Sequence, residues 1–223
     1  VALSNWRDRA YSTNSALLRG ALRLEPNDSK LRALLAFLLS IEGGANIERG
    51  NIEASRALQQ DEKLPLALMA QASYQTYQHM SSESANLYSA ALKLAEEQKL
   101  SYEIILSAKA GLALAMAEQE TISNPLYIRE LAQRALTLYP ANARLYLALG
   151  KAMLAENKPE SAELACRQFD RGRLFDRNDV DFTEPYVRAA LSTGYPFRFE
   201  VAHGAARTAY KIKNTATTEL LWA

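Results

Sequence analysis

An all-α fold of antiparallel helix pairs follows from three observations. Ala (38) and Leu (34) make up about a third of the 223 residues, whereas Val and Ile together total 12. Strands prefer β-branched residues, so a large sheet is nearly excluded. Only 9 Gly and 7 Pro leave little turn chemistry for hairpins. The apolar residues recur at three and four positions rather than at two, which is the helical period.

The elements follow in order. Leu17, Leu18, Ala21, Leu22 and Leu24 stripe a helix over 4–24, stopped by Glu25-Pro26-Asn27-Asp28. Asp28 is placed as the N-cap of the next, over 28–41, striped by Leu31, Leu34, Leu35, Leu38 and Leu39 and closed by Gly43-Gly44. Helices over 46–61 and 65–80 flank Leu64-Pro65, and Ser81-Ser82 opens one over 83–98. A helix over 101–119 ends before Ser123-Asn124-Pro125, with Pro125 at a first helical position of 125–138. Tyr139-Pro140 ends that helix, and Asn142 caps 142–156. Asn157-Lys158-Pro159, Asn178-Asp179 and Gly194-Tyr195-Pro196 separate the last three, over 159–176, 180–193 and 197–213. Inserts are expected near 41–50 and 118–124. The short connections make consecutive helices antiparallel neighbours.

The helices repeat. Ala21-Leu22-Arg23-Leu24-Glu25-Pro26 and Ala135-Leu136-Thr137-Leu138-Tyr139-Pro140 are near copies, 114 residues apart. Ala57-Leu58, Ala91-Leu92 and Gly172 continue the series, giving intervals of 36, 34, 44 and 37. Two helices per period of this length mark a helix-pair solenoid.

One stretch is more specific. Tyr146, Leu149-Gly150, Met153 and Ala162, after Ala135-Leu136…Pro140, stand in the register of a helix pair of the tetratricopeptide repeat (TPR) superfamily. The chain resembles that family closely over 135–165; Gly111 with Leu114 and Ala36 with Leu39 look like weaker copies. The resemblance implies a right-handed α-α superhelix of about five TPR-like pairs, one domain over 1–223. Gly150 and Ala162 are then small so that two helices can cross closely.

The resemblance also implies that protein or peptide partners bind the concave face. Carried onto the strong repeat, its positions are Arg144, Leu147, Lys151, Leu154 and Ala155. Carried onto the next helix they are Asp181, Glu184, Arg188, Leu191 and Ser192. The uniform Lys/Asn set of TPRs that clamp a terminal carboxylate is lacking. Arg167, Arg171, Arg173 and Arg177 form two i,i+4 pairs, read either as a solvated face with intrahelical ion pairs or as a strip for carboxylate or phosphate.

Other classes receive little support. The formal charge is +1, from 26 Lys+Arg and 25 Asp+Glu, so no global field points to nucleic acid. The longest apolar run, Leu34–Leu39, is far below the ~18 residues that span a bilayer, so no direct membrane insertion is expected. His79 and His203 stand far apart, so no metal or other cofactor is expected. The one cysteine, Cys166, occupies a core position and has no base nearby in sequence, and no catalytic set is visible. The expectation is a non-enzymatic scaffold or adaptor. The alternative is an accessory domain of a larger bacterial envelope protein, a polysaccharide polymerase or ligase or a secretion machine. The opening stretch from Asn5-Trp6 to Pro26 reads as a second helix without its first, as in a fragment of a longer chain. The compartment is left open between cytoplasm and periplasm, with attachment to a membrane protein through missing sequence as one form. Trp222 is expected to dock on the last helix, to contact a second copy in a homo-oligomer, or to fray.

Overall fold

The computed structural model describes residues 14–176 and 179–212. Among them lie eleven α-helices and no strand. They are α1 (14–24), α2 (Ser29–Glu42), α3 (Ala45–Leu58), α4 (Pro65–Tyr77), α5 (Ser81–Glu97) and α6 (Tyr102–Ala117), followed by α7 (Pro125–Leu136), α8 (Ala143–Leu154), α9 (Pro159–Phe175), α10 (Thr183–Thr193) and α11 (Pro196–Ile212). A 3-10 turn, Val180–Phe182, leads into α10. Neighbouring helices pack in direct contact, α2/α3, α3/α4 and α4/α5 in one run and α7/α8, α8/α9, α9/α10 and α10/α11 in another, and α2 also meets α4. The expectations on Trp6, Arg177 and Trp222 lie outside the described residues.

The expected starts are set by side chains. Asp28 accepts from the Lys30 and Leu31 amides, Asn124 from Tyr127 and Asn142 from Leu145, each satisfying a donor the helix cannot. Pro65, Pro125 and Pro159 occupy first-turn positions, where no amide hydrogen is needed. The expected insert near 41–50 is absent. Gly43 and Gly44 take φ of +77° and +57° and turn the chain in two residues, so α3 begins at Ala45. The connection over 118–124 does separate α6 from α7.

The chain divides into two compact units, Val1–Ala115 and Met116–Ala223, with the boundary inside α6. In the first unit the core between α2, α3 and α4 is built of alanines: Ala33, Ala36, Ala54, Ala57, Ala67 and Ala70, closed by Leu64. Such short side chains let helix backbones approach. A Cβ on Gly50 would stand 2.9 Å from the Ala36 carbonyl oxygen. Between α4 and α5 the buried Ser84 hydroxyl donates to the Ala72 carbonyl at 2.9 Å, and Ser73 meets the Tyr88 hydroxyl at 2.8 Å. Gly111 on α6 lies under the Tyr88 ring, 2.2 Å from where its Cβ would be.

The second unit is packed with rings. Phe169 on α9 is fully buried and meets Phe182 and Tyr186 edge-on, at centroid distances of 6.2 and 6.0 Å. Its ring lies over Gly150, where a Cβ would come within 2.2 Å of Cε1. Ala162 is buried as expected, but the contact that keeps position 150 small is this ring. Gly172 likewise lies against Phe182, 2.5 Å from its own absent Cβ. Cys166 is buried beside them.

Candidate functional site

The second unit carries a cleft of about 480 Å³. Its walls come from α8, from α10 and from the chain that follows α6. Lys151 and Leu154 project from one face of α8 because they stand about one turn apart. Glu184 and Arg188 do the same from α10. Ala155, Pro185 and Ser192 complete the floor and Glu118 and Glu120 the rim. Asn157, at φ +53°, turns the chain at the end of α8 and also lines the cleft. Asn accepts this left-handed backbone more readily than most residues.

The rim charges are largely paired. Lys151 Nζ lies 2.9 Å from Glu118 Oε1, and Arg188 Nη2 lies 2.9 Å from Glu184 Oε1. Both are solvent-accessible contacts of small net worth, so they open at little cost when another partner arrives. Glu120 is exposed on the same rim. The lining therefore has a short aliphatic floor and a mixed, slightly acidic edge.

Two of the expected groove residues are elsewhere. Leu147 is 1% exposed, part of the core and out of a ligand's reach. Residues 147 and 151 are neighbours on a helix surface, but Leu147 faces the neighbouring helices, where an aliphatic side chain gains most. Arg144 is half-exposed and engaged, its Nε 3.0 Å from Asp179 Oδ2 and its Nη1 2.5 Å from Asp181 Oδ2. Asp179 also caps the 3-10 turn by accepting from the Asp181 amide. Burial raises the Asp179 carboxyl above its ordinary value despite Arg144 beside it. Arg144 thus ties α8 to the entry of α10. Of the positions carried onto the next helix, Glu184, Arg188 and Ser192 line the cleft, whereas Asp181 holds Arg144 and Leu191 is exposed apart from it.

The arginine strip does not exist as one face. Arg167 and Arg171 stand one turn apart, and Arg167 Nε lies 3.2 Å from Glu163 Oε1. Arg173 is two residues further on, roughly 200° around the helix, with its guanidinium 5.7 Å from the Tyr186 ring centroid. Arg177 lies outside the described residues.

An arginine outside the expected site residues organises this region. Arg198, in the first turn of α11, is nearly buried. It grips Glu163 with two donors, Nε to Oε2 at 3.0 Å and Nη2 to Oε1 at 2.7 Å, and reaches Asp170 Oδ2 at 2.8 Å. The Tyr186 hydroxyl donates to the other Asp170 oxygen at 2.7 Å. The Arg198 hydrogen bonds hold Glu163 below its ordinary value, and burial lifts the Tyr186 phenol. Burial also pushes the Cys166 thiol up to about 11, the opposite of an activated nucleophile. A signal existed in the sequence: a cation in a helix's first turn opposes the helix dipole, so it calls for carboxylates from elsewhere. Arg144, at the second position of α8, carries the same signal.

Repeated helix pairs with small residues at the crossings define an all-α helix-pair repeat fold. The chain matches the crystal structure of YrrB, a TPR protein with an unusual peptide-binding site, with a TM-score of 0.58 over 91% of this chain and 95% of that one, at 18% identity. At that identity the likeness establishes the fold. No family model and no curated protein matches the sequence. Among the described residues no helix is long and apolar enough to cross a membrane, and no three His, Cys, Asp or Glu side chains are grouped to hold a metal ion.

Proposed function

We propose that this chain is a non-enzymatic binding protein that holds a segment of a partner protein in the cleft between α8 and α10. The observation that carries the reading is the convergence of Lys151, Leu154, Glu184 and Arg188 on one cleft of about 480 Å³. These side chains come from the first helices of two successive pairs, the helices that line the concave face in the family the sequence resembles. The volume falls within the roughly 300–1,000 Å³ of ordinary ligand sites. The aliphatic floor favours a peptide with a small apolar side chain, and the paired rim offers charges of both signs to its neighbours. The helices are already packed, so little ordering cost opposes binding. The likeness to YrrB, with its peptide-binding site, supports the same reading.

The test is a selection of random peptides displayed on phage, against the intact chain and against Lys151→Glu/Arg188→Glu. Peptides enriched on the wild type should bind the variant about tenfold more weakly, with helicity and Tm unchanged. They should slow amide exchange in α8 and α10. Peptides that bind both proteins equally, or no enrichment at all, would remove the cleft as the site.

A further inference from the structure

The first unit holds a second cleft, of about 330 Å³, among α1, α2 and α3. Its floor is aliphatic: Leu35 and Leu39 from α2, with Ile52 from α3 left 46% exposed at the edge. Its rim carries Arg19 from α1, Arg49 and Glu53 from α3. Glu53 stands one turn after Arg49, and each of its oxygens already faces another arginine. Oε2 is 2.5 Å from Arg32 Nη1 and Oε1 is 2.8 Å from Arg56 Nη1. Arg19 and Arg49 are both exposed and make no ion pair among the described residues. Among the described residues the cleft thus presents two exposed guanidinium groups with no ion pair, above a largely buried aliphatic floor. Guanidinium forks suit carboxylates, which they grip with two parallel donors.

We propose that this cleft is a second docking site, for a partner peptide in which acidic residues alternate with aliphatic ones. An aliphatic side chain would seat against Ile52, over the buried Leu35 and Leu39, while carboxylates reach Arg19 and Arg49. Its rim is more basic than the mixed rim of the cleft in the second unit, so the two sites favour different segments.

Three fluorescein-labelled peptides serve as probes on the full chain: acetyl-Leu-Glu-Leu-Glu-Leu amide, its Gln analogue and its Lys analogue. Fluorescence polarisation should show the Glu peptide binding about tenfold more tightly than the Gln peptide, with the Lys peptide weakest, because each charge-assisted contact in an open cleft is worth a few-fold. The preference should shrink in high salt. Arg19→Gln/Arg49→Gln should abolish it, and Lys151→Glu/Arg188→Glu should leave it intact, which separates this site from the other cleft. Circular dichroism would show both variants folded, since all four side chains reach solvent. Equal binding of the Glu and Gln peptides, a preference that survives the Arg19/Arg49 variant, or complete displacement by a single-stranded oligonucleotide at lower concentration would overturn the proposal.

Discussion

The α2/α3 and α8/α9 crossings close the same repeat with different materials. At α2/α3 the two backbones touch: Gly50 faces the Ala36 carbonyl and the Ser40 amide, and alanines fill the remaining space. At α8/α9 the glycine is a seat for a ring, with Phe169 lying across Gly150 and braced by Phe182 and Tyr186. A small residue in the repeat pattern thus has two meanings. In one the neighbour is backbone and cannot retreat; in the other it is a side chain that substitution can remove. The buried polar groups differ as well. Hydroxyls stitch α4 to α5, whereas an arginine bridging two carboxylates joins α9 to α11.

The largest effect should come from Gly150→Leu, which drives a branched side chain into the Phe169 ring. Overpacking of this kind costs about 3 kcal/mol or more. Thermal unfolding should show a Tm lowered by roughly 6–12 °C at the usual conversion for this chain length. A Tm within a degree or two of wild type would mean the crossing is not built around that glycine.

Alanine at the two crossings separates the two meanings. Gly150→Ala and Gly50→Ala should each lower stability by about 1–2 kcal/mol, the clash outweighing the ~1 kcal/mol that Ala gains in helix propensity. The first should be rescued in a Phe169→Leu background, where the ring that blocks the new methyl is gone. Gly50→Ala should find no such suppressor at Leu39, because its nearest obstacle is the Ala36 carbonyl. A double-mutant cycle by urea unfolding measures both couplings; equal couplings would collapse the distinction.

Arg198→Met should cost about 1–2 kcal/mol, because it leaves Glu163 and Asp170 facing each other without their shared cation; their partial exposure keeps the loss below that of a fully buried pair. The same bridge sets an acid response. Glu163 is held below its ordinary value, first by the hydrogen bonds from Arg198, and Glu156 is lowered first by the Ser161 hydroxyl and also by Arg129. Groups lowered in the folded state stabilise it fully above the ordinary Glu value of about 4.3. That stabilisation is lost as pH falls through the lowered values. Tm of the wild type should therefore drop below about pH 4, and the Arg198→Met variant should show a shallower drop. The smallest effect belongs to Arg167→Ala and Arg171→Ala, both exposed, which should stay within about 0.5 kcal/mol of wild type in the same urea assay.

Much of the architecture was legible in one dimension. The three-and-four spacing of Leu and Ala, the caps at Asp28, Asn124 and Asn142, and the prolines that open helices are local chemistry, settled within one or two turns of chain. The Ala and Gly series from Ala21 to Gly172 falls on α1, α3, α5, α7 and α9, where Ala57, Ala91 and Ala135 are fully buried and Gly172 lies against Phe182. The site was legible in part. Lys151, Leu154 and Arg188 share a cleft because register within a helix fixes which side chains point the same way. Leu147 and Arg144 departed from expectation because their fates depend on what stands opposite, helices that cover the leucine and an aspartate pair that captures the arginine.

What the sequence by itself determined about this protein is the order, length and pairing of its helices, since those follow from periodicity and from capping groups a few residues away. What only the tertiary structure decided is where its charges are spent. Arg198 meets Glu163 across 35 residues, Arg144 meets Asp181 across 37 and Arg32 meets Glu53 across 21. An ion pair depends on separation in space, and separation in space is set by how the helices pack.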